Sequence, residues 1–262
     1  VPRERLERTI RLDVEYDGTD YCGFQIQPNG QTIQGELEAA LLRLTGAPIR
    51  VHGAGRTDAG VHALGQVVSF WTDHPMPDER FAEALNRLLP DGIGVWRSAR
   101  ADEGFHARFS AVGKVYEYHL LRSRYRRPVT SRFAEPVHPW PDVAAMNAAM
   151  ECLVGRHDFS GYTAAGGKSV DRVRTIASAE WTEGGEGAFL RIQADGFLYK
   201  MVRNIVGTAL EIGIGRRAVT SMSEVLDGGD RSQAGPTAAA RGLRLVRVLY
   251  SAAEASAGRQ AR

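Results

Sequence analysis

Residues 53–63 read Gly53-Ala54-Gly55-Arg56-Thr57-Asp58-Ala59-Gly60-Val61-His62-Ala63, and the reading of this stretch decides what kind of sheet the chain builds. Residues 49–51 form a short strand leading in, and residues 66–71 a strand leading out. The opening Gly53-x-Gly55 imitates a dinucleotide fingerprint, which would put the loop at the start of a helix in a parallel sheet. Asp58 stands where the third glycine belongs, however, and no long apolar helix follows. A P-loop would end in Gly-Lys-Ser/Thr, which is absent. What remains is a sharply turning glycine loop that carries four larger polar side chains: Arg56, Thr57, Asp58 and His62. As an ordinary turn it would use Asp58 as a cap and Arg56 as its surface ion pair. A metal site on His52, Asp58 and His62 would lack both HExxH and CxxC spacing.

Outward from the loop, residues 9–16 alternate strictly, with Ile10, Leu12, Val14 and Tyr16 on one face and Arg11, Asp13 and Glu15 on the other. That predicts a half-buried strand. Thr32 caps a helix with Ile33, Leu37, Ala40, Leu41 and Leu44 on one side, stopped by Gly46. Asp78 is expected to cap a second helix that ends at Pro90, and a strand over 93–96 completes a first half. The second half repeats the kinds of element: a strand over 114–122, a helix capped by Asp142, strands near 176–181 and 189–194. A helix from Tyr199, a shorter one over 221–226 and a last strand over 244–250 follow. Strand pairs joined by short turns, as at Gly184-Gly185-Glu186-Gly187, favour a mixed, largely antiparallel sheet over a doubly wound parallel one. The expected divisions are residues 1–104, 105–250 and a small-residue tail, 251–262, read as disordered.

The 262 residues are 43% apolar with a net charge of +2, enough for a sizeable core and too neutral to announce a nucleic-acid binder by bulk charge. Lys114, Lys168 and Lys200 are the only lysines, so any basic surface is built of arginine. Two cysteines, Cys22 and Cys152, make neither a disulfide framework nor a zinc ribbon. With no apolar run of about 20 residues and no signal-peptide pattern, the expectation is a cytoplasmic protein without a membrane span.

Several ordered segments carry a resemblance. GRTDAGVHA, residues 55–63, is similar to the active-site signature of the TruA family of tRNA pseudouridine synthases. Tyr16-Asp17-Gly18-Thr19-Asp20-Tyr21-Cys22-Gly23-Phe24-Gln25-Ile26-Gln27 resembles the family's N-terminal signature, and Phe105-His106-Ala107-Arg108-Phe109-Ser110-Ala111 through Tyr118 its second. Gly196-Phe197-Leu198-Tyr199-Lys200-Met201-Val202-Arg203-Asn204-Ile205-Val206-Gly207 resembles the third. Gly155-Arg156-His157-Asp158-Phe159-Ser160 and Arg174-Thr175-Ile176 also match; His157-x3-Gly161, which could suggest a metal site, reads as structural. Two departures stand out: Ala239 occupies the place of a common proline before Gly242-Leu243, and Tyr162 that of a commoner phenylalanine.

The resemblance implies an α/β (α+β) fold of two related halves, whose helix-flanked central sheet leaves the active cleft between them. It implies isomerisation of uridine to pseudouridine at positions 38, 39 and 40 of the tRNA anticodon arm, by a homodimer needing no metal or organic cofactor. Asp58 maps onto the catalytic aspartate, Tyr116 onto the tyrosine that contacts the target uridine, and Arg203 onto the arginine paired with the aspartate. Read from residues alone, Tyr116 and Tyr118 share one strand face and could equally be core, and Arg203 could be a solvated helix arginine. Arg56 is then available to meet the RNA backbone or help extrude the base. Arg122, Arg124, Arg126 and Arg127, interleaved with Tyr125, suit phosphate contacts.

Overall fold

The computed structural model describes residues 7–28, 30–125, 127–166 and 169–257. In chain order the elements are β1 (Arg8–Tyr16), α1 (Ile33–Thr45), β2 (Val51–Gly53), β3 (His62–Thr72), α2 (Arg80–Asn86) and β4 (Ile93–Arg100). Then come β5 (Gly113–Arg122), β6 (Glu135–Val137), α3 (Val143–Met150), β7 (Gly155–Asp158), β8 (Val173–Gly184) and β9 (Gly187–Ala194). The chain continues through α4 (Met201–Gly213), α5 (Ser221–Gly228), β10 (Leu243–Leu249) and α6 (Ala252–Ala257). The fold is mixed α/β, mostly antiparallel and flanked by helices, with β5 and β6 paired in parallel. The chain divides into two compact units, residues 1–111 with 245–250 and residues 112–244 with 251–262.

In the first unit the strand order is β4-β1-β3-β10, with β2 beside β3. Alternation puts Ile10, Leu12, Val14, Val68 and Phe70 on one face, all buried, because Leu12 faces Val68 and Ile10 faces Phe70. That face receives Leu37 and Leu41 of α1 and Phe81 and Leu85 of α2, all fully buried. Burial of each such side chain is worth about 1.5–3 kcal/mol. Phe81 meets Phe70 edge-on at 5.4 Å between centroids, which seats α2. Thr32 caps α1 through Gly35 N (3.2 Å), and Gly46 ends it at φ 76°, as its sequence predicts. Asp78, in contrast, is not the cap of α2. Its carboxylate is taken by the Arg8 guanidinium, and Glu79 stands at the cap without a side-chain bond. A charge-assisted bond to a distant arginine outweighs a local amide.

In the second unit the order is β5-β9-β8-β7, with β6 along β5. The β8–β9 hairpin closes in a two-residue turn at Gly185-Glu186, where Gly185 supplies φ 57°. Asn147 of α3 docks on β8 through both ends of its amide: Nδ2 donates to Trp181 O (2.9 Å) and Oδ1 accepts from Trp181 N (2.7 Å). α4 packs against α3 with Met201, Val202, Ile205, Val206 and Ala209 buried. On β5, burial alone would raise the Glu117 pKa, but bonds from His119 (2.9 Å) and Arg244 (2.6 Å) and their charges bring it down to about 2. The tail read as disordered opens with α6, where Ser251 Oγ accepts from Glu254 N (3.2 Å) and Ala255 O accepts from Gln193 Nε2 (2.8 Å). A capped turn tied to β9 is what the composition of the tail did not disclose. Residues 258–262 lie outside the described residues.

Candidate active site

The loop carrying Asp58 is bound on three sides within the first unit. The ladder continues past β2, with Ala54 N donating to Val67 O (2.8 Å). Gln66 Nε2 donates to Gly55 O (3.0 Å) and to the Tyr16 hydroxyl (3.3 Å), which meets Thr57 Oγ1 at 2.9 Å. On the opposite side, Phe24 N donates to Thr57 O (3.1 Å). Gly23 allows that approach: it sits at φ 93°, and a Cβ there would lie 2.7 Å from Thr57 O. Val61 N donates to Asp58 O (3.1 Å), closing a turn through Gly60 at φ 77°. Main-chain bonds therefore fix the backbone at Thr57 before Asp58 and at Val61 after it.

Tyr16 reaches this position because the β1–β3 register slips between Val14 and Tyr16. Such irregularities re-aim side chains beside functional loops. Burial pushes its phenol up to about 12 against the bonds to Thr57 and Gln66, so it stays neutral as a structural tether. Sequence reading missed this tether; its only trace is a tyrosine on the apolar face at the end of an alternating strand. Asp58 itself is half-buried and Arg56 exposed.

His62 and His52 turn to other tasks. Gly18 N donates to His62 Nδ1 (3.1 Å), and His52 packs against the His106 ring at 4.9 Å. His106 Nδ1 accepts from Arg108 N (3.1 Å) and Phe109 N (3.3 Å). Burial, then the neighbouring His52 and Arg108, lower its pKa below 6.5. Among the described residues, no three His, Cys, Asp or Glu side chains gather as a metal site.

In the second unit, Tyr116 and Tyr118 share a face of β5, as alternation predicts, but differ in role. Tyr118 is wholly buried and its hydroxyl donates to Ala239 O (3.0 Å). Tyr116 keeps 6% of its surface exposed and meets Phe197 edge-on at 5.0 Å. Arg203, on the first turn of α4, is half-buried, and its Nε donates to Ala238 O (2.7 Å).

The arginine run divides. Arg122 pairs with Glu183 (3.1 Å) and lies over Trp140, while Arg127 pairs with Glu186 (2.6 Å). Both would have to exchange a carboxylate for a phosphate. Arg124 lies over Tyr125 and, with His138 and Arg241, lines an open cleft of about 490 Å³. Arg126 lies outside the described residues.

Ala239, the departure near the C-terminal Gly-Leu pair, has φ −59° and ψ 149°, the backbone proline itself would take. Among the described residues its amide donates to nothing. Ala239→Pro is therefore expected to raise stability by about 0.4–1 kcal/mol through the unfolded chain. Denaturant melts at constant m-value check this; a loss of stability would mean that the loop does not hold this backbone.

The model of the tRNA pseudouridine synthase family matches residues 14–110 and 149–251, and the chain belongs to that family. It is thereby an isomerase acting on tRNA. Within the family it is similar to the tRNA pseudouridine synthase A of Exiguobacterium sp., at 44% identity over 93% of this chain and 98% of that one. The Latilactobacillus sakei enzyme of the same name is 46% identical over 94% and 100%, and that of Geobacillus kaustophilus 45% over 94% and 95%. This is the TruA family. No helix among the described residues is long and apolar enough to cross a membrane.

Proposed function

We propose that this protein converts uridines 38, 39 and 40 of the tRNA anticodon arm to pseudouridine, with Asp58 as the nucleophile. The observation that supports this most is the rigid mounting of Asp58, fastened through Thr57 to Tyr16 and Phe24. In the reaction the N1–C1′ bond breaks, the uracil rotates, a C5–C1′ bond forms, and the C5 proton leaves as N1 regains one. A carboxylate serves by adding to C6 of the base or by capturing C1′ of the sugar. Arg203 is its cationic partner, offsetting the loss of solvation when the flipped base displaces water. Exposed Arg56 meets the RNA backbone, and Arg124 takes a flanking phosphate. The working form is a cytoplasmic homodimer with the RNA lying across both subunits, and the chemistry needs no metal.

The direct test is release of the C5 hydrogen from target uridines in an unmodified anticodon stem-loop, with chelator in excess. The rate should be undiminished by the chelator. Loss of turnover restored by a divalent ion, on a stem-loop that folds without magnesium, would contradict the metal-free reading.

With 6% of its surface exposed, Tyr116 has little ring face left for stacking, and its hydroxyl is the group assigned to proton movement at C5. Tyr116→Phe should then lose turnover yet bind RNA, and Tyr116→Ala should lose both rate and some affinity. Stacking alone, worth ~1–3 kcal/mol per base, would instead leave the Phe variant active.

A further inference from the structure

We propose that Asn204 and Thr237 form a latch that aims the Arg203 guanidinium, making both positioning residues for the reaction. The proposal rests on the reading of Arg203 as the partner of Asp58. Residues 235–239 run as a strap against α4. They lie so close that a Cβ on Gly207 would fall 1.6 Å from Pro236 O, and one on Gly235 would fall 2.8 Å from Thr208 Cα. The strap's attachments to the helix are polar and consecutive. Gly235 N donates to Thr208 Oγ1 (2.9 Å), Thr237 Oγ1 donates to Asn204 Oδ1 (2.7 Å), and Ala238 N donates to Arg203 O (3.0 Å). In return, Arg203 Nε donates to Ala238 O (2.7 Å).

Asn204 is the fixed point of this set. It is fully buried, Nδ2 donates to Tyr162 O (2.8 Å), and Oδ1 accepts from both Thr237 and Arg231 (3.1 Å). Both lone pairs of Oδ1 are therefore used, and the amide cannot rotate without leaving buried groups unpaired. Arg231 also reaches Thr237 Oγ1 (3.1 Å), closing a three-membered network. Thr237 immediately precedes Ala238, so the latch sets the position of the Ala238 carbonyl. That carbonyl holds Nε and with it the plane of the guanidinium, whose fork must meet a carboxylate in a set orientation. The neighbouring carbonyl, Ala239 O, is fixed from the other side by the Tyr118 hydroxyl (3.0 Å). A strap needed only for packing would be served by the glycine contacts. The polar bonds converge on the residue next to the one that holds Arg203.

The test uses Thr237→Val, which keeps the shape and removes the hydroxyl, beside Thr237→Ser, which keeps the hydroxyl. Turnover at saturating tRNA, tRNA affinity and denaturant stability are measured for each, with Arg203→Ala alongside. Thr237→Val is expected to lose about 10- to 100-fold in kcat, the scale of a small misplacement of a reacting group. Affinity should stay within about twofold, since phosphate contacts carry it. Thr237→Ser should recover the rate. A Thr237→Val protein that is folded and turns over at the wild-type rate overturns the latch, as does equal loss in the Val and Ser variants. If Arg203→Ala itself keeps the wild-type rate, the reading of Arg203 falls instead. An inactive Arg203→Ala beside a fully active Thr237→Val overturns the latch alone.

Discussion

Asp58→Asn will convert no uridine while binding tRNA within about twofold of the unaltered protein. An amide of the same size is a far weaker nucleophile than a carboxylate, so the covalent step fails outright. The loop itself should survive the change. Its fastenings run through Thr57 Oγ1, Thr57 O, Gly55 O and the Asp58 carbonyl, none of which is altered. Affinity comes from arginine contacts to many phosphates, to which one carboxylate adds little or even opposes binding. Single-turnover assays and filter binding read the two quantities separately. Residual turnover above about 1% of wild type would assign the nucleophile's role elsewhere, since removal of an essential nucleophile costs far more than 10²-fold.

Arg203→Ala should be the second large effect, with turnover lost and stability reduced. Removing it strips the carboxylate of its proposed partner and frees the Ala238 carbonyl that Nε now holds. For a fully desolvated pair the cost would be ~3–5 kcal/mol. Asp58 and Arg203 are each only half-buried, and solvent screening lowers the expectation to ~1–3 kcal/mol. The double variant Asp58→Asn with Arg203→Ala should be more stable than the two singles predict, by more than ~0.5 kcal/mol. Strict additivity would mean that the two residues do not interact, and Arg56 would become the better partner.

Much of the fold was legible because its causes are local. The alternation of β1, the Thr32 cap and Gly46 stop of α1, and the Gly185 turn each lie within a few residues of what they determine. Asp78 was misread because its competitor, Arg8, comes from 70 positions away. The same distance problem hid the ion pairs of Arg122 and Arg127 with the β8–β9 hairpin, 61 and 59 positions on. At the site, the motif residues were found by resemblance to a family, which marks what reacts and not what supports it. The Tyr16–Thr57 tether spans 41 positions and the Asn204–Thr237 latch 33, and no periodicity or spacing rule connects such pairs. Asn204 does leave one mark, as a fully buried amide on the first turn of a mostly apolar buried helix, with Thr208 one turn further on.

The measurement closest to the central claim is nucleotide-resolution mapping of pseudouridine in an unmodified tRNA carrying uridine at 38, 39 and 40. The isolated protein and its Asp58→Asn variant are incubated side by side. The unaltered protein should place pseudouridine at those three positions, and the variant at none. Pseudouridine formed elsewhere, none at all from the unaltered protein, or the same pattern from both would contradict the account.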